Sequence, residues 1–186
     1  MRLTGLIPAV VLALSACYGD SPDCVRLSAA GRYCLATGPW PEFAVEQHTV
    51  VTFQGNSTQM IARLEAGAVG LRFAGVTPLG QTLVKVSWEN GKLRSEFPAG
   101  TPGRIDGGLF PALLQIALWP GPEVRRGLSA GLALIEEDHR RVVRDGDLDL
   151  LIVSWEGNTL PYARLRFEAP DAALVIDAKT LLEIDE

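Results

Sequence analysis

Three cysteines carry most of the reactive chemistry in this 186-residue chain, and their settings divide them into a pair and a single residue. Cys24 and Cys34 enclose the segment Val25-Arg26-Leu27-Ser28-Ala29-Ala30-Gly31-Arg32-Tyr33, which reads as two short strands around a small-residue turn. In an oxidising compartment such a pair forms a disulfide that staples the hairpin, and closing so short a loop contributes about 2 to 3 kcal/mol. A metal site is the alternative use of these thiols. It would need imidazole partners at ligand spacing, and neither His48 nor His139 stands so to a cysteine.

Other reactive-looking patterns have simpler readings. Asp145-Gly146-Asp147-Leu148-Asp149, with Glu156 at the twelfth position, imitates a calcium loop. The sixth position is Leu150 where such a loop needs Gly for its sharp turn, and the loop would consume the apolar strand Leu148 to Trp155. A charged turn entering a strand fits better. His139, within Glu136-Glu137-Asp138-His139-Arg140-Arg141, reads as part of a solvated turn, and His48 precedes a strand. Asn56-Ser57-Thr58 has the form of a glycosylation sequon but reads as a turn. There is no G-x-S-x-G, no G-x-G-x-x-G and no P-loop. No catalytic residue, metal or cofactor is expected, and an enzyme is the weakest of the function classes.

Cys17 has a different setting. Met1-Arg2 makes a minimal positive region, Leu6 to Leu14 is an apolar run too short to span a bilayer, and Leu14-Ser15-Ala16-Cys17 follows directly. Those four residues match the lipobox of bacterial lipoprotein precursors, in which the cysteine thiol takes a diacylglyceryl group and becomes the new N-terminus. The expected organisation is a signal peptide over 1–16, a lipidated tether over 17–23 and one domain over 24–186. Acyl chains on Cys17 would anchor the protein firmly, at roughly 0.8 kcal/mol per buried methylene. An Asp directly after the cysteine retains such proteins in the inner membrane of enteric bacteria. Here that residue is Tyr18, so the expected address is the outer membrane, periplasm-facing, with membrane lipids as the first partner.

Composition narrows the rest. The net charge is -5 and the pI about 5.1, which makes nucleic acid an unfavourable partner. With 47% hydrophobic and 21% charged residues the chain can bury one core, and its length suits one domain. No apolar run reaches the ~18 residues of a membrane span.

The elements that must position these residues are mostly strands, because apolar residues recur with period two. Val51 and Phe53 share a face before the turn Gly55-Asn56-Ser57, and Met60, Ala62 and Leu64 share a face after it. Val69, Leu71 and Phe73 line one face, as do Val84, Val86 and Trp88; Asn90-Gly91 then signals a type I′ turn into Leu93, Ser95 and Phe97. Leu109 to Trp119 breaks the pattern, with Gln115 its one polar residue, and predicts a helix opened by Pro111 and ended by Pro120-Gly121-Pro122. A short second helix is expected over Glu123 to Leu128. Strands resume at Leu132–Ile135, Arg141–Arg144, Leu148–Trp155, Tyr162–Phe167, Leu174–Asp177 and Leu181–Ile184. This predicts a mainly β protein, a curled antiparallel sheet with a helical lid over an apolar cavity suited to acyl chains. A helix that simply fills the core fits the same periodicity.

Two segments resemble a known arrangement. Leu71-Arg72-Phe73-Ala74-Gly75-Val76 runs into Thr77-Pro78-Leu79-Gly80 and out through Leu83 to Trp88, and a Leu-Leu-x-x-x-Leu-Trp-Pro helix end follows later. They resemble the LolB family of outer-membrane lipoprotein receptors, in which a strand enters Asn-Pro-Leu-Gly; here Thr77 replaces the Asn. The run Leu109-Phe110-Pro111-Ala112-Leu113-Leu114-Gln115-Ile116-Ala117-Leu118-Trp119-Pro120 is similar to a branch of LolB-like lipoproteins that often accompany aryl-polyene or fatty-acid-type synthesis genes. The resemblance implies an unclosed antiparallel β-barrel of LolA/LolB type with a helical lid. It also implies a cavity for acylated cargo, lipoprotein or lipid, received from a periplasmic LolA-like carrier. Pro78, Leu79 and Gly80 would form the membrane-insertion loop, with Leu79 protruding. The lid and cavity candidates are Leu109, Phe110, Leu113, Ile116, Trp119, Phe73 and Trp88. The Cys24/Cys34 pair is not a feature of the receptor.

Overall fold

The computed structural model describes residues 23–28, 31–98 and 106–184; the signal segment, Cys17 and the first residues of the tether lie outside the described residues. Twelve strands and two short helices follow in chain order: β1 (Cys24–Arg26), β2 (Arg32–Cys34), β3 (Phe43–Phe53), β4 (Asn56–Gly67), β5 (Gly70–Val76), β6 (Thr82–Glu89), β7 (Lys92–Glu96), α1 (Leu109–Leu118), α2 (Gly121–Gly127), β8 (Leu132–Glu137), β9 (Arg140–Asp145), β10 (Leu148–Glu156), β11 (Arg164–Ala169) and β12 (Leu174–Glu183). β1 and β2 pair alone. The other ten form one antiparallel sheet in the order β7-β6-β5-β4-β3-β12-β11-β10-β9-β8, with edges at β7 and β8 and no closure.

The sheet must curl, and α1 shows why. Six strand steps separate β6 from β10, about 28 Å across a flat sheet, yet a ten-residue helix only about 15 Å long touches both. The apolar face of each strand turns inward around it. Leu71, Val86, Trp88, Val143, Val153 and Leu165 are all buried in the single core that also holds Ala112, Leu113 and Ile116 of α1. No helix among the described residues is long and apolar enough to cross a membrane.

Local chemistry fixes the hairpins. Asn90 and Gly91 take positive φ (49° and 71°), the type I′ turn expected from the sequence. The β3–β4 turn is shorter than expected: Gln54 and Gly55 take the positive φ values, and Asn56 already pairs with Phe53. α1 ends at Trp119, whose extended backbone leads into Pro120, and that proline then opens α2.

Three boundaries differ from expectation. β3 begins at Phe43, before Val50, so His48 lies inside a central strand, opposite Ile61 and Lys179. Polar Gln47 and Thr49 occupy inward positions there and break the period-two signal. β12 is one strand through Glu183, because pairing with β3 from Leu174↔Phe53 to Glu183↔Val45 carries it across its polar middle. Val69 does not share a face with Leu71; it sits in the β4–β5 turn, exposed.

Candidate functional site

The register places the hairpin tips at two ends of the curled sheet. The β3–β4, β5–β6, β9–β10 and β11–β12 turns lie at one end, and the β4–β5, β6–β7, β8–β9 and β10–β11 turns at the other. The second end is closed. Cys24 and Cys34 are joined by a disulfide with an S–S distance of 2.00 Å, holding β1 to β2, and Tyr33 between them is buried against α1 and α2.

A polar network ties this closed end together. The Gln115 side chain, fully buried in α1, accepts from the Tyr33 hydroxyl (3.1 Å) and from Ala36 N–H (3.1 Å), and donates to Ala36 C=O (2.8 Å). Trp88 Nε1 donates to the same carbonyl at 3.3 Å. Burial pushes the Tyr33 hydroxyl well above its usual pKa, with the Arg141 charge opposing, so it stays a neutral donor. Arg141 Nη1 donates to the carbonyls of Ile116, Ala117 and Trp119 (2.8, 3.2 and 2.6 Å), which supplies the C-terminus of α1 with a cation and with partners for its free carbonyls. Sequence reading placed Arg141 at the start of a strand and Gln115 as a lone polar residue; nothing in their periodicity marks either as a fixed point of the helix.

The open end has another character. Leu79 tips the β5–β6 turn at 89% exposure, and Phe53 ends β3 at 50%. The turn is built by Thr77: its N–H donates to Gln81 C=O (2.8 Å), its carbonyl accepts from Gly80 N–H (2.8 Å), and its hydroxyl accepts from Gln81 N–H (3.1 Å). A short polar side chain that can reach back to the backbone is what this position requires, and Thr77 supplies it. Gly80 takes φ +82°, a conformation that Gly adopts without strain, and Pro78 presets the turn before it.

Neither tip carries charge. From Thr49 to Ala62 and from Phe73 to Val84 no residue is Asp, Glu, Lys or Arg; of the six other hairpins of the large sheet five have an ionisable side chain in or beside the turn, and the β4–β5 turn, Gly67-Ala68-Val69-Gly70 at the opposite end, has none nearer than Glu65 and Arg72. In a chain with 21% charged residues, these two neighbouring long uncharged tips set the β3–β6 side of this end apart from its β9–β12 side, whose turns hold Asp145, Asp147 and Asp171.

Between that end and α1 lies an apolar crevice of about 30 Å³, bordered by Gln47, Thr49, Met60, Phe73, Phe110 and Leu113, with Phe167 and Ile176 on the far wall. That is room for one or two waters and too little for an acyl chain, for which pockets of about 300 Å³ or more are usual. The expected cavity is small because α1 fills the sheet: Phe110 stacks on Phe73 with ring centroids 4.9 Å apart, and Leu113 and Leu114 are buried below. Of the expected lid and cavity residues, Phe73, Phe110 and Leu113 border the crevice. The other four do not. Leu109 is half-buried where α1 begins, Ile116 is fully buried in the core, Trp119 packs edge-on against Trp40 (5.4 Å), and Trp88 belongs to the closed end.

Asp149, from the calcium-like run, accepts from Arg144 Nε (2.6 Å) at the mouth of a hairpin, and no group of three or more His, Cys, Asp or Glu converges among the described residues. His139 meets Asn158 (2.8 Å) on the surface.

The fold therefore defines a class, the unclosed antiparallel half-barrel with a helix laid in its inner face. Within it, the chain belongs to the DUF3261 family, described as protein of unknown function, whose profile matches residues 44–177, from the start of β3 into β12. No curated protein matches the chain.

Proposed function

We propose that this is a lipid-anchored protein of the outer membrane, facing the periplasm, that takes acylated cargo between α1 and the inner face of the sheet. It passes that cargo to the membrane through the two uncharged tips and catalyses no bond chemistry. Cys17 is the anchor, and a LolA-like periplasmic carrier is the proposed donor. The observation that carries this reading is Leu79, 89% exposed on an uncharged tip beside a second uncharged tip bearing Phe53. Burying one such side chain in the acyl boundary is worth roughly 1.5 to 3 kcal/mol, enough to disturb lipid packing yet too little to hold the protein on a membrane without the acyl anchor. On this reading the crevice of about 30 Å³ widens when cargo enters, as α1 with Met60 gives way.

The test is transfer of a dansyl-labelled triacylated peptide into liposomes. Leu79→Glu is expected to leave folding and anchoring intact and to abolish transfer. Unimpaired transfer would remove Leu79 from the mechanism. A second reading, a structural or envelope-assembly lipoprotein with a permanently filled core, is favoured by the small size of the crevice. A fluorescent fatty acid that binds and is displaced by lipid separates the two.

A further inference from the structure

The crevice is not uniformly apolar. Thr49 and Gln47 stand two residues apart on β3, so both point inward, and they are 2% and 7% exposed. The Thr49 hydroxyl has no hydrogen-bond partner, and the Gln47 side chain makes one contact at the limit of hydrogen bonding, from Nε2 to Thr180 Oγ1 at 3.5 Å. Both residues border the crevice. Gln115, the other buried amide among the described residues, makes three bonds by contrast. Trp40 Nε1 and Trp119 Nε1 also lack partners, but they belong to an edge-to-face pair away from the crevice.

A buried hydroxyl without a partner is unfavourable where Val would have the same shape, and groups of this kind are kept where something uses them. The neighbours in register leave room for a partner. Gln47 faces Ala62 on β4, and Thr49 faces Ala178 on β12, so small side chains flank the polar pair. Met60 stands directly opposite Thr49 on β4, with its sulfur packed over Gly75 in the space a β-carbon there would fill. An unbranched thioether next to a glycine is a wall that can swing. Thr49 lies four residues in from Phe53, about 13 Å from the rim along β3.

We propose that the crevice is the site for an acyl chain that carries a hydroxyl or carbonyl near its inserted end, received by Thr49 and Gln47. This rests on the acyl-binding reading above and adds to it the chemistry of the ligand. A molecule entering tail first from beside the uncharged tips brings its far end, and not its head group, to these two side chains. The hydroxyl of Thr49 then donates to a carbonyl or accepts from a hydroxyl, and the Gln47 amide supplies the complementary bond. A plain alkyl chain in the same place leaves both unpaired.

The experiment uses the full chain and displacement of a bound fluorescent fatty acid by palmitic acid or by 16-hydroxypalmitic acid. Wild-type protein is expected to favour the hydroxylated chain about tenfold, the worth of one to two hydrogen bonds. Thr49→Val is expected to bring the two competitors close to parity without weakening palmitic acid, and Thr49→Ser to keep the preference. Parity in the wild type, with palmitic acid bound, overturns the polar-end site and leaves acyl binding standing. Binding of neither acid overturns both. A preference that survives Thr49→Val and Gln47→Leu, each folded by circular dichroism, also overturns the assignment and leaves the pair holding a water.

Discussion

The two ends of the sheet are built from the same alternating strands and finished in opposite ways. At the closed end, a disulfide, a buried Gln–Tyr–backbone network and a guanidinium on three carbonyls hold β1, β2 and α1 to the sheet. At the open end two hairpins stop in bare turns that carry no charge and present Leu79 and Phe53 to solvent. Stability concentrated at one end leaves the other free to expose apolar side chains, because a tip that nothing packs against contributes little to folding. Fixed and adaptable surfaces are thus divided along the strands instead of between domains.

The division can be broken most severely at Gln115. Gln115→Leu removes three hydrogen bonds and leaves the Tyr33 hydroxyl and Ala36 N–H buried without partners, at about 1 to 3 kcal/mol each, so denaturant midpoints should show a loss of roughly 2 to 6 kcal/mol. A loss under 1 kcal/mol would mean that the closed end is not held by this network. Replacing Cys24 and Cys34 together by Ser should cost about 2 to 3 kcal/mol, and hydrogen exchange should quicken first in β1 and β2, while the β5–β6 turn is unaffected.

Acid should distinguish the charged wall from the uncharged tips. Asp177 on β12 accepts from Arg164 Nε (2.8 Å) and Arg166 Nη1 (3.2 Å), and the Arg164 hydrogen bond, with the charge of both arginines, holds its carboxyl below the usual value against the desolvation that raises it. A lowered folded-state pKa stabilises in full above the ordinary carboxylate range and is lost as pH falls through the folded value. Asp177→Asn should therefore cost about 1 kcal/mol at neutral pH, and the difference should close below about pH 4. Lipid contact through residues 49–62 and 73–84 should not change over that range, since His48 lies just outside the first segment and neither has an acid or a base. The smallest effect on folding belongs to Leu79→Glu, within about 0.5 kcal/mol, because the side chain has almost no contacts to lose. A larger shift would show that Leu79 packs in solution.

Much of this was legible beforehand, and the misses have a common cause. Alternation found β4, β5 and β6, the Asn90-Gly91 turn and the mid-chain helix, since one buried face per element imposes its period on the sequence. It missed the first half of β3 because Gln47 and Thr49 take inward positions that the pattern reserves for apolar residues, and those are the residues that make the crevice chemically distinctive. Arg141 was hidden in the same way, since its role depends on carbonyls about 25 positions earlier in the chain.

By itself, then, the amino-acid order determined most of the strands, the disulfide pair, the helix and the turn that carries Leu79, all of which depend on neighbours within a few residues. Only the tertiary structure decided that the sheet stays open between β7 and β8, that α1 fills its inner face down to about 30 Å³, and that Thr49 and Gln47 meet Phe73, Phe110 and Leu113 around that space. Those outcomes depend on how far ten twisted strands curl before their side chains meet the helix, a balance of volumes summed over the whole core that no local window of sequence contains.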